Sequence, residues 1–338
     1  MACPGARREG LRLLRSICDV GVVAASRAPA THGAAAAMSM AQQVVGGDIA
    51  PAGARFASQL AVRNRMKSVR SIQKITKAMK MVAASKLRGV QGKTEQSRGM
   101  WQPFTALLGD NPTLLTPRTL VLAVSTDRGL CGGINSTVVK HSKAVSAISA
   151  PSEENKSVFV IMGEKAKLQL QRDPRNVIEM TIADTQKVGI NFTQTSMIVD
   201  EILKNVEFDA ARIIYNRFNS VVAFVPTVST VLSPETLLKE AAEGGSASQL
   251  AEYEIEGEEG QEELFQNLSE FQLASTLYNA QLENACSEQG ARMSAMDNSS
   301  RNASDMLGRL TLSYNRSRQA TITTELIEII SGAAALEG

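Results

Sequence analysis

The sequence predicts an α/β domain inserted between two long helices that pair as an antiparallel coiled coil. Three observations predict it: two long stretches lack proline, both carry apolar residues at helical spacing, and short apolar runs alternate with helical patterns between them. Of the 338 residues, 43% are apolar but 4% are aromatic, a balance that favours long helices over a large aromatic core.

The first long helix is expected over residues 57–110. No proline lies between Pro51 and Pro103, so the backbone hydrogen bonds of a helix are uninterrupted there. Its apolar residues follow steps of three and four, which is typical of an amphipathic helix. The expected stripe consists of Val69, Ile72, Thr76, Met79 and Ala83, widened by Ile75 and Val82.

The second long helix is expected over residues 261–338. Residues 261–330 alone would span about 105 Å at ~1.5 Å per residue, so a partner helix must run beside them. Gly290 and Gly308 interrupt the seam. Either the helix pair is able to twist at these points, or the glycines are ordinary imperfections of the seam. The expected seam comprises Leu264, Leu268, Phe271, Ser275, Tyr278, Leu282, Ala285, Met296, Ala303, Met306, Leu310 and Ala320.

Charge is distributed unevenly along the chain, although the net charge is only +2. Residues 57–94 hold ten Lys or Arg and no acid, whereas residues 240–291 hold twelve Glu and no Lys or Arg. Exposed ion pairs contribute at most about 1 kcal/mol each, so burial of the apolar seam must dominate the pairing of the helices. The basic stretch would attract nucleic-acid phosphates, but aromatics are missing from residues 58–100, which favours acidic protein partners.

The intervening domain is expected over residues 117–232, with a parallel, doubly wound sheet. Residues 221–231 are expected to form an edge strand, because Pro226 cannot donate to a central ladder. Residues 233–260 are expected to be an acidic linker or the frayed start of the last helix. The expected strands are 119–125, 157–162, 177–182 and 212–215, and the expected helices are 135–147, 164–171 and 193–205.

Residues 1–56 have the composition of a mitochondrial transit peptide, with six Arg, no Lys and three acids. A mature start near Ala57 is expected, and an ordered basic arm is the alternative. The chain lacks an apolar run of about 18 residues, so any membrane association is expected to be peripheral.

Two glycine-containing segments resemble phosphate-binding loops only superficially. Gly92, Lys93 and Thr94 lack the glycine five residues earlier and the preceding strand that a P-loop needs. Residues 129–133 follow a strand but lack dinucleotide-binding spacing, so a tight turn is expected. Asp127 and Arg128 beside that turn are expected to form a salt bridge or a partner contact.

Groups for metal or histidine chemistry are also lacking. After removal of the presequence, Cys131, Cys286 and His141 show no metal-ligand spacing, and structural thiols in a reducing compartment are expected. We therefore expect no catalytic residues, no bound cofactor and no metal.

Three segments resemble the gamma-subunit family of F-type ATP synthases: residues 67–86, 125–135 and 314–335. The likeness extends from about Ala57 to Gly338. It implies a non-catalytic central rotor whose two terminal helices form an asymmetric coiled coil inside a ring of alpha and beta subunits. It also implies a Rossmann-like domain near the epsilon and delta subunits and the c-ring. The subunit would lie on the matrix side of the mitochondrial inner membrane. Proton flow would drive rotation of the c-ring, and the rotor would turn with it. A coiled-coil nucleic-acid-binding protein is the alternative, and a nucleotide-binding enzyme comes third.

The resemblance also implies contact residues between rotor and stator. Met79 and Lys80 are similar to the family's residues near an acidic loop of beta, although Met79 also suits the core-facing stripe. The family's polar contacts to the catalytic head correspond to Arg318, Gln319, Thr323 and Glu325, of which Arg318 and Glu325 also suit ordinary surface charges. The two-cysteine insertion of chloroplast-type members is lacking, so thiol switching is not expected.

Overall fold

The computed structural model describes residues 52–110, 114, 116–149, 156–185, 189–242 and 261–337. Residues 1–51 of the proposed transit peptide lie outside the described residues. The helices are α1 (Ala52–Leu108), α2 (Ile134–Ser149), α3 (Glu164–Leu170), α4 (Phe192–Asn205), α5 (Pro234–Ala242) and α6 (Gln261–Glu337). The strands are β1 (Arg118–Val124), β2 (Lys156–Met162), β3 (Val177–Ile182), β4 (Ala210–Phe218) and β5 (Phe224–Leu232).

The described chain divides into two compact units. One contains residues 83–294, and the other combines residues 52–82 with residues 295–337. Both long helices contribute to both units. None of the helices in the described ranges is both long enough and apolar enough to cross a membrane.

The unit of residues 83–294 contains a mixed five-stranded sheet in the order β3-β2-β1-β4-β5. The first four strands are parallel, but β5 runs antiparallel to β4. Residues 219–223, which join β4 to β5, are too few for the crossover that a parallel pair requires. The expected edge strand is therefore confirmed, whereas the expectation of an all-parallel sheet is wrong at this edge.

Both faces of the sheet are covered, because successive residues of a strand point to opposite sides. Leu120, Leu122 and Val124 of β1 pack into one apolar cluster with α4 and α6. Val121 and Ala123 pack into the other with α2 and α3. The first part of α6 is thus a layer of the sheet domain, a role that the heptad pattern did not predict.

Residues 272–290 of α6 are buried on almost every side of the helix, and many of their side chains are polar. Several of them find partners within the unit. Asn284 donates to the carbonyl oxygen of Ser125 at 3.1 Å, and Ser287 donates to that of Asn216 at 2.8 Å. Since a buried polar group without a partner is costly, these bonds hold the helix in one position on the sheet.

The seam expected along α6 is only partly buried. Ser275, Leu282, Ala285, Met296 and Ala303 are buried as expected. Phe271, Met306 and Ala320 are exposed, contrary to expectation. Phe271 instead meets aromatic neighbours, with ring centroids 5.0 Å from Phe104 and 6.0 Å from Phe192. The remaining seam positions, Leu264, Leu268, Tyr278 and Leu310, are half-buried.

The ends of the helices differ from the expected bounds in two places. Helix α1 continues through Pro103 to Leu108, where Gly109 with φ of 78° ends it. Residues 234–242 are helical rather than part of a linker. Pro234 suits the first turn of a helix, and Leu237 is buried against Leu232, which anchors the helix. The rest of the proposed acidic linker, residues 243–260, lies outside the described residues.

Candidate functional site

The unit of residues 52–82 and 295–337 is a pair of antiparallel helical segments. The Gln59 side-chain amide donates to the Thr321 hydroxyl at 2.7 Å and to the Ser317 carbonyl oxygen at 3.2 Å. Lys80 Nζ lies 2.6 Å from Asp297 Oδ1. Residue numbers rise along α1 as their partners' numbers fall along α6, so the two segments run in opposite directions.

The stripe expected on α1 divides into two faces. Val69 and Thr76, seven residues apart, are buried along the seam, but Ile72, Ile75 and Val82 are 50%, 58% and 57% exposed. A two-helix seam buries one narrow line of side chains. The wider expectation was therefore wrong within this chain, and the exposed residues form a second apolar face. Exposed apolar faces of this kind mark surfaces where other proteins bind.

The last part of α6 carries the largest group of exposed apolar side chains in this unit. They cover about half of the helix circumference rather than one narrow stripe, and Leu336 is 90% exposed. Sequence analysis missed the members of this group at residues 322–330, although a broad apolar arc on a helix is a readable signal. Its members are Ile322, Leu326, Ile327, Ile329, Ile330 and Leu336.

The rotor–stator contact residues expected from the sequence lie in two places. Met79 and Lys80 are half-buried on α1, and the Lys80 ammonium pairs with Asp297. Arg318, Gln319, Thr323 and Glu325 are all exposed on α6. The second group lies at the level of Gln59, which contacts Ser317 and Thr321. Residues 59 and 80 are about 30 Å apart along a helix, so the structure does not bring the two groups together.

The basic face of α1 is available to other molecules. Its side chains are exposed, and none of them forms an ion pair within the part of the chain that the structure describes. Exposed, uncompensated cations attract acidic partners. The face comprises Arg63, Lys67, Arg70, Lys74 and Lys77.

The turn after β1 is structural. Asp127 accepts backbone N–H groups from Glu164 at 3.3 Å and from Asp184 at 3.0 Å, so it joins the loops that follow three strands. No ion pair between Asp127 and Arg128 occurs among the described residues, and the salt-bridge expectation is wrong. The expected tight turn is confirmed, with Leu130 and Gly132 at φ of 64° and 65°.

The other phosphate-loop candidate is part of a continuous helix. Thr94 is buried within α1, and its hydroxyl lies 3.2 Å from Cys286 Sγ and donates to the carbonyl oxygen of Val90. Burial raises the pKa of the Cys286 thiol, and it also raises that of Cys131. Both thiols are therefore protonated at neutral pH, as suits structural cysteines.

A buried ion pair joins both long helices to the sheet within residues 83–294. Arg98 Nε donates to Glu283 at 2.5 Å, and Arg98 also donates to the carbonyl oxygen of Phe218 at 2.9 Å. Glu283, whose side chain is 2% exposed, also accepts the backbone N–H of Phe218 at 2.8 Å. The hydrogen bond to Glu283 raises the pKa of Arg98. We call these three residues the Arg98 clamp.

A close backbone approach adjoins this clamp. A Cβ atom on Gly290 would lie 3.3 Å from both the Phe218 ring and the Val221 carbonyl oxygen. The glycine therefore lets α6 pass close to the connection between β4 and β5. At Gly308, by contrast, a Cβ atom would have nothing within 4 Å.

Comparisons with known proteins agree on one family. The family described as ATP synthase matches residues 58–336. The mitochondrial ATP synthase subunit gamma of Ipomoea batatas is 62% identical over 86% of this chain and 89% of its own length. The corresponding Arabidopsis thaliana subunit is 58% identical over 100% of this chain and 99% of its own.

A solved structure has the same fold. It is a chain of the Euglena gracilis mitochondrial ATP synthase, from an assembly of OSCP, F1 and c-ring, with a TM-score of 0.69 and 21% identity. The match covers 83% of this chain and 95% of that one. The family match over residues 58–336 and the identities to the two plant subunits show that the chain belongs to the gamma-subunit family of ATP synthases.

Proposed function

We propose that the chain is the central-stalk subunit of a mitochondrial proton-transporting ATP synthase. It couples rotation of the c-ring, driven by proton flow, to conformational changes at the catalytic sites on the beta subunits. The observation that carries the proposal is the antiparallel helix pair with an exposed apolar end and an unpaired basic face, in a chain of the gamma family.

An asymmetric rotor can impose different conformations on identical catalytic sites. Three chemically identical catalytic sites adopt different conformations only if the rotor's contacts with them differ in free energy with angle. The helix pair provides such differences, because Ile72, Ile75 and Val82 form an apolar face while Lys74 and Lys77 are exposed cations. A partner therefore meets different chemistry at different angles.

The finer description of the fold belongs to the same proposal. The antiparallel segments of α1 and α6 form a coiled coil, with boundaries near residues 57–110 and 261–338. The sheet of residues 117–232 is Rossmann-like, and the strand order β3-β2-β1-β4 with helices on both faces supports that description.

The partners follow from the family. They are the alpha and beta subunits of the catalytic head, the epsilon and delta subunits of the stalk, and the c-ring. The subunit is peripheral to the mitochondrial inner membrane, on its matrix side. Its catalytic partners make ATP, and this chain acts without an active site or cofactor of its own. The comparisons do not support the nucleic-acid-binding alternative.

Six side chains are proposed to contact the stator: Met79, Lys80, Arg318, Gln319, Thr323 and Glu325. The exposure of the four on α6 supports this, since they are free to meet a partner. Exposed hydrogen-bonding groups there suit a contact that forms and breaks as the rotor turns.

A pull-down of the tagged chain from solubilised mitochondrial membranes tests the proposal. Recovery of alpha, beta and c subunits, with ATP-driven proton pumping by the recovered complex, is expected. Steep salt-dependent binding of the isolated chain to duplex DNA, without those subunits, would instead establish the nucleic-acid alternative.

The contact residues need a separate test. In the assembled complex, Arg318→Ala with Thr323→Ala should slow ATP synthesis while the chain still assembles. Arg309→Ala, which removes an exposed arginine from the same helix, is the matched control and should leave synthesis unchanged. Normal synthesis by the double variant would remove these two residues from the contact.

A further inference from the structure

Two groups of polar contacts join α1 to α6 in the unit of residues 52–82 and 295–337. At one place Gln59 bonds to Ser317 and Thr321, and at the other Lys80 pairs with Asp297. The two groups are separated by about 30 Å along the helices. They therefore constrain the pair at two distant points.

The fully buried seam between these points is made of small and medium-sized side chains: Val69 and Thr76 of α1 and Ala303 of α6. Larger side chains in this region, such as Met66, Leu310 and Tyr314, are only half-buried. Large interlocking side chains resist sliding of one helix along another, whereas small ones resist it weakly. A seam of this kind leaves the register to other contacts, and polar partners are known to specify register in helix pairs.

The Lys80 contact has the geometry to do this. The 2.6 Å separation is that of a charge-assisted hydrogen bond. Arg301 Nη2 lies 2.9 Å from the other carboxylate oxygen of Asp297. The hydrogen bond from Lys80 is the main reason that the pKa of Asp297 lies below its ordinary value, so this carboxylate is ionised at neutral pH. A slip of one residue, about 1.5 Å, would disrupt the bond.

We propose that Lys80 and Asp297, together with Gln59 and Thr321, are positioning residues that fix the register and rotational phase of the helix pair. The proposal rests on the proposed function, and it gives Lys80 a role inside the rotor beside its proposed stator contact. A fixed register holds the apolar face around Ile75 at a constant position relative to the contact residues of α6. Each rotor angle then presents the stator with one defined set of contacts.

The test uses assembled ATP synthase containing this chain, in inverted inner-membrane vesicles. The measured quantity is ATP-driven proton pumping per ATP hydrolysed. Lys80→Glu and Asp297→Lys, made singly, should lower this ratio about two- to threefold, since an exposed ion pair changes an equilibrium by such factors. The double reversal, K80E with D297K, should restore most of it. Asp305→Ala removes an exposed, unpaired acid from the same helix and should have no effect.

Either of two results would overturn the proposal: single reversals that pump normally, or a double reversal as poorly coupled as the single ones. The second result would mean that the side chains act separately on other subunits. If a reversal prevents assembly, a double-mutant cycle on thermal unfolding of the full chain decides, and zero coupling between the two positions refutes the pairing. A wild-type chain that assembles but supports no proton pumping would refute the proposed function itself.

Discussion

Replacing Glu283 with alanine is expected to destabilise the unit of residues 83–294 by about 3 kcal/mol. The Glu283 side chain is 2% exposed and accepts hydrogen bonds from Arg98 and from the Phe218 backbone. Breaking a buried ion pair costs about 3–5 kcal/mol, and the lower figure applies because the Arg98 side chain is 30% exposed. A buried N–H left without an acceptor contributes about 1–3 kcal/mol of this loss.

Urea unfolding of the full chain, followed by far-ultraviolet circular dichroism, measures the effect. Glu283→Gln keeps one acceptor and should lose roughly half as much. Glu207→Ala is the matched control, because Glu207 pairs with Arg118 but its side chain is 88% exposed. That control should lose less than about 1 kcal/mol.

If Glu283→Ala unfolds within about 0.5 kcal/mol of the wild type, the Arg98 clamp does not stabilise the fold. A double-mutant cycle with Arg98→Ala then separates the two contributions. A coupling energy near zero between positions 98 and 283 would show that Glu283 acts through its bond to Phe218 alone.

Three further predictions follow from local geometry. Gly290→Ala should destabilise the chain by about 1 kcal/mol in urea unfolding, because the new Cβ atom meets the connection between β4 and β5. Gly308→Ala should instead stabilise the chain by up to about 1 kcal/mol, because the space around Gly308 is open. Equal effects of the two substitutions would contradict the close approach at Gly290. The Asp110 carboxylate accepts the Thr230 backbone N–H, and burial raises the pKa of this carboxyl group. The ionised form of Asp110 therefore lowers the stability of the fold at neutral pH, and this cost disappears as pH falls through the raised pKa. Asp110→Asn should therefore be more stable than the wild type at pH 7, with a difference that shrinks toward about pH 4, and a pH-independent difference would contradict this. Cys131 and Cys286 should react with a thiol reagent in the native chain at least about tenfold more slowly than in urea, and comparable rates would show that they are accessible.

The sequence predicted most elements of the sheet domain because their patterns are local. The expected strand at residues 119–125 differs from β1 by one residue at each end. Strand β4 was expected only over residues 212–215, yet it spans Ala210–Phe218. Its ends carry Ala210, Ala211 and Asn216, residue types that are depleted in strands, and pairing overrides their weak propensity. Ala210 and Ala211 pair with both β1 and β5, and Asn216 pairs with β5.

The candidate site was less accessible to sequence reasoning. Periodicity identified an apolar stripe on α1, but it could not tell that Val69 would be buried while Ile72 and Ile75 stay exposed. That division depends on which face meets α6, which is a tertiary property. The Arg98 clamp was equally hidden, because positions 98, 218 and 283 are distant in sequence and no local pattern connects them.

Leu273, Ala274, Leu277 and Ala280 cover one face of the sheet from a position late in the chain. Strands β1 to β5 all precede them, as does α4, which covers part of the same face, so this face stays only partly covered until α6 docks. Partly folded chains that expose apolar surface are prone to aggregation. A chain truncated before residue 273 is therefore expected to leave this surface open and to aggregate or be degraded rather than persist as a smaller folded protein.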